Sequence, residues 1–216
     1  MTITAQFYCT LRSPYAYLAS HRYQQIQEQW AVDIQVCPVL PISVRHPTGA
    51  EAGNPRQLAY IELDSSRVAE FLGLPLTNPQ PDPVFSDPES GRILVEQPLI
   101  HWLTHLTIAA ERHGRGFVLF KELSSLIWGS GLVNWHEGDH IKNAIARVDL
   151  EPRALFDEVS NDKRALADQV TENQNRLKAA GHWGVPTLVV DGEPFFGQDR
   201  AELALWRMQQ LGLKKR

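Results

Sequence analysis

Apolar residues recur along this chain with more than one period, and the order of those periods predicts its architecture. Over residues 2–9 they crowd together as in a buried strand. From Tyr15 they return at every third or fourth position through Leu18, Ala19, Tyr23, Ile26 and Trp30, the stripe of a helix packed on a sheet. Ser13 and Pro14 open that helix, because a serine caps well and a proline's fixed φ suits the first helical position. Val32, Ile34 and Val36 alternate as a second strand. With a helix between them, the two strands are expected to run parallel with a right-handed crossover.

Pro38, Pro41, Pro47 and Pro55 keep the next stretch irregular, after which Leu58, Ile61, Leu63, Val68, Phe71 and Leu72 restore helical spacing. A second proline cluster, Pro75, Pro79, Pro81, Pro83 and Pro88, excludes helix and central strand, so a loop over the site or a hinge is expected there. Beyond it the pattern predicts helices over 99–112, 117–128, 140–148, 153–159 and 164–179. The run Thr187-Leu188-Val189-Val190-Asp191-Gly192-Glu193-Pro194-Phe195-Phe196 is a hairpin, a β-branched strand turning on Asp-Gly. A closing helix follows, with Leu203, Leu205, Trp206 and Leu211 as its expected buried positions. The layout is βαβ, helical insertion, ββα. That is an α/β chain in which 1–75 and 182–216 form one domain and 76–181 an inserted helical subdomain.

Composition narrows the function classes. The 216 residues are 43% hydrophobic, enough for a sizeable core, and the net charge of −4 gives no reason to expect a nucleic-acid partner. No run reaches membrane-spanning length, and the N-terminal residues lack a secretory pattern, so a cytoplasmic location is the expectation. Two cysteines, Cys9 and Cys37, both fall in apolar strand segments and read as buried, reduced thiols. They are too few for a four-cysteine zinc site. His136-Glu137-Gly138-Asp139-His140 has the spacing of a zinc-peptidase pair, which works only on a continuous helix. Gly138 weakens such a helix and Asp139 reads as the cap of the next one, so no metal site is expected.

The corner at Ser13 is the chemical candidate. Unpaired N–H groups and the positive end of the helix dipole stabilise an anion there, a thiolate included. On its own, Ser13 also fits a plain helix cap. The element order, with Val185-Pro186-Thr187 opening the third strand, is that of thioredoxin-like domains. Ser13-Pro14-Tyr15-Ala16 occupies the place of that superfamily's Cys-x-x-Cys, and Val185-Pro186 that of its cis-proline loop. Phe7-Tyr8, Ser13-Pro14-Tyr15 with Tyr17-Leu18-Ala19, Tyr60 with Asp64 and Arg67, Gly73-Leu74-Pro75-Leu76, Trp128-Gly129, Gly184-Val185-Pro186-Thr187 and Phe196-Gly197-Gln198-Asp199-Arg200 resemble the 2-hydroxychromene-2-carboxylate isomerases and kappa-class glutathione transferases, of the DsbA-like branch.

That resemblance implies a glutathione-dependent isomerase, with a kappa-like transferase or peroxidase, or a non-catalytic thiol-binding module, as alternatives. It implies that Ser13 hydrogen-bonds the glutathione sulfur, that Val185 before Pro186 pairs with the cysteinyl backbone, and that Asp199 with Gln198 holds the γ-glutamyl end. Arg200 would lock Asp199 or meet a carboxylate, and Trp183 is a candidate flank of the same site. For an aromatic acid substrate, Arg45 stands at the distance of the family's lysine and Asn54 near that of its asparagine. Asn54-Pro55-Arg56 departs from the family's Asn-Arg pair, and residues 82–96 depart from it altogether. A homodimer is a further expectation from the resemblance.

Overall fold

Strand β1 (Ile3–Cys9) organises the molecule because its alternate side chains are buried on both faces. Ala5, Phe7 and Cys9 enter the larger core, and Tyr8 enters a smaller one behind the sheet. The computed structural model describes residues 2–46 and 55–216, and the expected substrate residue Asn54 lies outside the described residues. Helix α1 (Pro14–Gln29) leads to β2 (Val32–Pro38), which pairs with β1 in parallel, as the intervening helix requires. The hairpin strands β3 (Thr187–Val190) and β4 (Glu193–Phe196) complete a sheet of order β2-β1-β3-β4, with β3 antiparallel to β1. Asp191 and Gly192 both take positive φ, 48° and 80°, the turn that Asp-Gly favours.

On the larger face, Phe7 sits at the centre of an aromatic cluster. Its ring meets Tyr23 of α1 edge-on at 5.1 Å and Phe120 at 5.5 Å. Phe120 belongs to α5 (Gly116–Ser124), which continues as one π-helical turn over Ser125–Gly129. Between β2 and the other helices runs α4 (Pro98–Arg112), buried nearly all round through Ile100, Leu103, Leu106, Ala109 and Ala110. Helices α6 (His140–Arg147) and α7 (Pro152–Asn161) finish the helical layer.

Helix α8 (Lys163–Ala179) falls inside the stretch assigned from sequence to the helical insertion, yet it packs behind the sheet. Leu177 joins Tyr8, Cys37, Val39 and Val189 in the smaller core, and Asn173 Nδ2 donates to Pro38 O at 3.0 Å. The sheet needs a cover on that face, and α8 supplies it.

Two expected buried stripes differ. In α3 (Pro55–Leu72), among the described residues, only Ser65 and Ala69 are fully buried, while Leu58, Leu63, Phe71 and Leu72 face solvent, because the helix touches the core along one narrow line. In α9 (Ala201–Gln210) the buried positions are Ala201, Ala204, Leu205 and Met208, at helical spacing. Leu203, Trp206 and Leu211 are exposed, so Leu205 alone of the expected set is inside. The proline-rich connector is firmly attached: Tyr17 Oη donates to Pro75 O at 2.8 Å and Trp135 Nε1 to Pro81 O at 2.9 Å. Gln97 then bonds both the N–H and the carbonyl of Phe85 at 2.7 Å. Among the described residues no helix is long and apolar enough to cross a membrane.

Candidate functional site

Register brings the candidate residues to one end of the sheet. Tyr8 pairs with Thr187 and Thr187 with Phe196, so the end of β1, the start of β3 and the end of β4 lie side by side. Ser13 follows β1 by one turn, its N–H bonded to Thr10 O at 3.1 Å. Val185-Pro186 precedes β3 and the peptide bond between them is cis. Gly197 donates its N–H to Pro186 O at 2.9 Å, which sets the Gln198–Arg200 turn against the same bend.

Ser13 is half-buried, and its Oγ accepts the N–H of Ala16 at 3.2 Å. The capping role is therefore real, and it leaves the chemical role open. A hydroxyl has one proton and two lone pairs; the cap uses a lone pair, and the O–H proton can still be given to an anion above the helix. Three residues earlier, Thr10 Oγ1 is buried and without a partner among the described residues. No cysteine belongs to the corner. Cys9 and Cys37 are both buried and free, and alternation of side chains along neighbouring strands sends them to opposite faces of the sheet. Burial pushes the Cys37 thiol up to about 12 and Cys9 well up too, so neither is a thiolate at neutral pH.

The corner is held by residues that periodicity does not reveal. Arg12 grips Asp82 of the connector through Nε and Nη2, each at 3.0 Å, and donates from Nη1 to Ser43 Oγ at 2.7 Å. Trp128 Nε1 donates to Leu11 O at 2.9 Å, so the π-helical turn holds the residue before Arg12. Tyr15 Oη donates to Asp64 Oδ2 at 2.7 Å, which docks α3 onto the first turn of α1. Burial first, and that carboxylate second, push the Tyr15 phenol up, keeping it a neutral donor. The adjacency of Arg12 to Ser13 was a signal open to sequence reading, but Asp82, seventy positions on, had none.

Asp199 is clasped by Arg200, Nη1 to Oδ2 at 2.8 Å, so of the two expected roles for Arg200 the structure displays the lock. The Asp199 charge reaches Tyr15 and Tyr23, which places it beside α1. Gly197 has φ 109°, and a Cβ there would run into the Asp199 carboxylate, so glycine is required for this turn. Gln198 opens the turn in the half-exposed zone.

Arg45 closes α2 (Ile42–Arg45) and reaches the cis-proline loop: Nε donates to Leu40 O and Nη2 to Trp183 O, both at 2.9 Å. Its charge is thereby fixed beside Trp183, whose ring stacks on His182 at 4.6 Å and is 56% exposed. The His136–His140 pattern has no shared helix face, since Gly138 takes φ 62° and α6 begins only at His140. Asp139 occupies the N-cap position there, although its carboxylate bonds Lys142 Nζ at 2.7 Å instead of the helix backbone.

A serine-capped helix terminus and a cis-proline bend thus lie at the same end of the sheet, and neither cysteine of the chain is in that corner. Residues 4–209 match the DSBA-like thioredoxin domain, and the chain belongs to that family. Among solved structures, a 2-hydroxychromene-2-carboxylate isomerase is similar with TM-score 0.71 at 19% identity, covering 97% of this chain and 96% of that one. A probable DsbA oxidoreductase from Streptomyces coelicolor has TM-score 0.66 at 15% identity, over 96% and 89%. The cytosolic disulfide reductase DsbM from Pseudomonas aeruginosa, solved with GSH, has TM-score 0.59 at 16% identity, over 96% and 100%. At these identities the likeness is one of fold. No curated protein sequence matches the chain significantly.

Proposed function

We propose that this chain is a glutathione-dependent isomerase of aromatic acids of the 2-hydroxychromene-2-carboxylate type. The observation that carries the reading is Ser13: a hydroxyl with a proton to give, at a helix N-terminus, where the family layout has a redox cysteine. A serine cannot exchange disulfides, and Cys9 and Cys37 are buried on opposite faces, so the reactive sulfur must come from outside. The relative solved with GSH, and the isomerase among the similar folds, support glutathione as its source.

In this reading the Ser13 hydroxyl and the α1 terminus hold a thiolate, with Val185 presenting its backbone as an added strand would. Asp199, locked by Arg200, takes the γ-glutamyl ammonium, and Gln198 stands beside it. A bound thiolate supplies a nucleophile that adds reversibly to a conjugated double bond, leaving a single bond free to rotate. Arg45 supplies positive charge on the substrate side, where negative charge develops. The neutral Tyr15 phenol stays committed to Asp64 and keeps the corner rigid.

The test is product analysis with glutathione and a benzylidene-pyruvate or chromene acid. Isomerised acid with glutathione recovered supports the proposal. A stable conjugate assigns the chain to transfer in the manner of the kappa class, and tight binding of glutathione without turnover assigns it to a thiol-binding module.

A further inference from the structure

The loop that enters β3 is fixed on both sides of Val185 and left open at Val185 itself. Trp183 O accepts Arg45 Nη2 at 2.9 Å, and Gly184, the next residue, gives its N–H to His182 Nδ1 at the same distance. Those two bonds hold the two ends of one peptide plane. Further on, the Gly184 carbonyl accepts the Thr187 hydroxyl at 2.8 Å and the Pro186 carbonyl accepts the Gly197 N–H at 2.9 Å. Among the described residues the N–H and carbonyl of Val185 take no partner, although the residue is half-buried. A strand added here would meet two free backbone groups in a loop already tied down around them.

Gly184 is the weak point of that loop. A Cβ there would come within 2.7 Å of the Phe196 ring and 3.0 Å of His182, so no larger residue fits. Glycine leaves its own backbone free to turn, and the conformation has to be imposed by a neighbour. His182 imposes it. Its ring lies between Phe196, at 4.1 Å, and Trp183, at 4.6 Å with planes 9° apart. Its backbone N–H reaches Leu177 O at the end of α8, at 3.2 Å. Acceptance at Nδ1 leaves the ring proton on Nε2, so the loop meets a single lone pair at a fixed point, two residues before the N–H it holds.

We propose that His182 is the positioning residue of this loop: its Nδ1 orients the Gly184 N–H, and through Gly184 it presents the Val185 N–H and carbonyl to the backbone of a bound tripeptide. The inference rests on the glutathione reading above and adds to it a residue to which that reading gives no part. The plainer role for the same side chain is to fill the space between Trp183 and Phe196. The two roles use different atoms, the lone pair for positioning and the ring faces for filling.

Two variants of the full chain separate them, with glutathione binding by calorimetry and thermal unfolding as the readouts. His182→Phe keeps a flat ring in the stack and has no acceptor. His182→Asn loses the ring and keeps an oxygen that accepts an N–H two residues on, as asparagine does in turns. The expected result is glutathione binding at least about fivefold weaker in His182→Phe, the loss of one hydrogen bond, with its Tm unchanged. His182→Asn should bind as the parent does and unfold at a lower temperature. Affinity then follows the acceptor, and stability follows the ring. Equal affinity in the parent and His182→Phe would overturn the inference and leave the glutathione reading standing. Equal weakening in both variants would overturn it too, since the ring would then be a filler only. Failure of the parent chain to bind glutathione would overturn both the inference and the reading beneath it.

Discussion

Removing the Ser13 hydroxyl separates the two jobs the structure assigns to one oxygen. In Ser13→Ala, α1 loses the cap to Ala16 N, a loss of about 1 kcal/mol. For a chain of this size that lowers Tm by about 2–4 °C. If the hydroxyl also donates to a glutathione thiolate, the charged sulfur loses a hydrogen bond of about 1.5–3 kcal/mol. That raises the pKa of the bound thiol by about one to two pH units. Ser13→Gly divides the effects, since glycine caps nearly as well as serine but has no hydroxyl. It should keep most of the stability and lose the thiolate, while Ser13→Thr should restore both. The assay is the ultraviolet absorbance of the thiolate, titrated with glutathione bound to each variant, alongside thermal unfolding. A bound thiol that titrates identically in Ser13→Ala, Ser13→Gly and the parent would show that Ser13 is a helix cap and nothing more.

Other perturbations read other parts of the fold. Glu111 accepts the backbone N–H groups of Val36 and Gly116 beside the edge strand, and burial pushes its carboxyl up to about 7. The folded state therefore holds a proton that the unfolded chain has released, so stability should fall as pH rises from about 4.5 to about 7. Glu111→Gln should flatten that slope in urea unfolding, and an unchanged slope would exclude Glu111 as its source. Phe7→Ala empties the centre of the aromatic cluster and should cost about 3–5 kcal/mol in denaturant unfolding. Gly197→Ala forces a side chain into a positive-φ position against Asp199; it should weaken glutathione binding measured by calorimetry more than it lowers Tm. Asp82→Asn breaks the two-point grip on Arg12, but the pair is partly exposed, so its loss should cost no more than about 1 kcal/mol in thermal unfolding.

Sequence reading reached the parts of the site that local rules encode. Ser13-Pro14 is a helix start by cap and φ alone, Asp191-Gly192 is a hairpin turn by its positive φ, and Val185-Pro186 belongs to a motif whose cis bond the structure contains. The same reading put too many apolar residues inside α3 and α9. Helical spacing says which residues share a face, but it does not say how much of that face another element covers. Phe71 of α3 fits the periodic pattern and is 88% exposed.

From the chain's own order of residues came the βαβ and ββα ends, the helical insertion, the capped corner and the absence of a redox pair within it. Only the folded chain decided that α8 covers the back of the sheet, that Asp82 grips Arg12, and that Arg45 bonds Trp183 across an interval of 138 positions. The reason is physical. Caps, turns and stripes are settled among residues a few positions apart, where backbone geometry dictates who can meet. An ion pair between a connector and a strand end, or a bond from α2 to Trp183, depends on where whole elements come to rest, and packing across the sheet determines that.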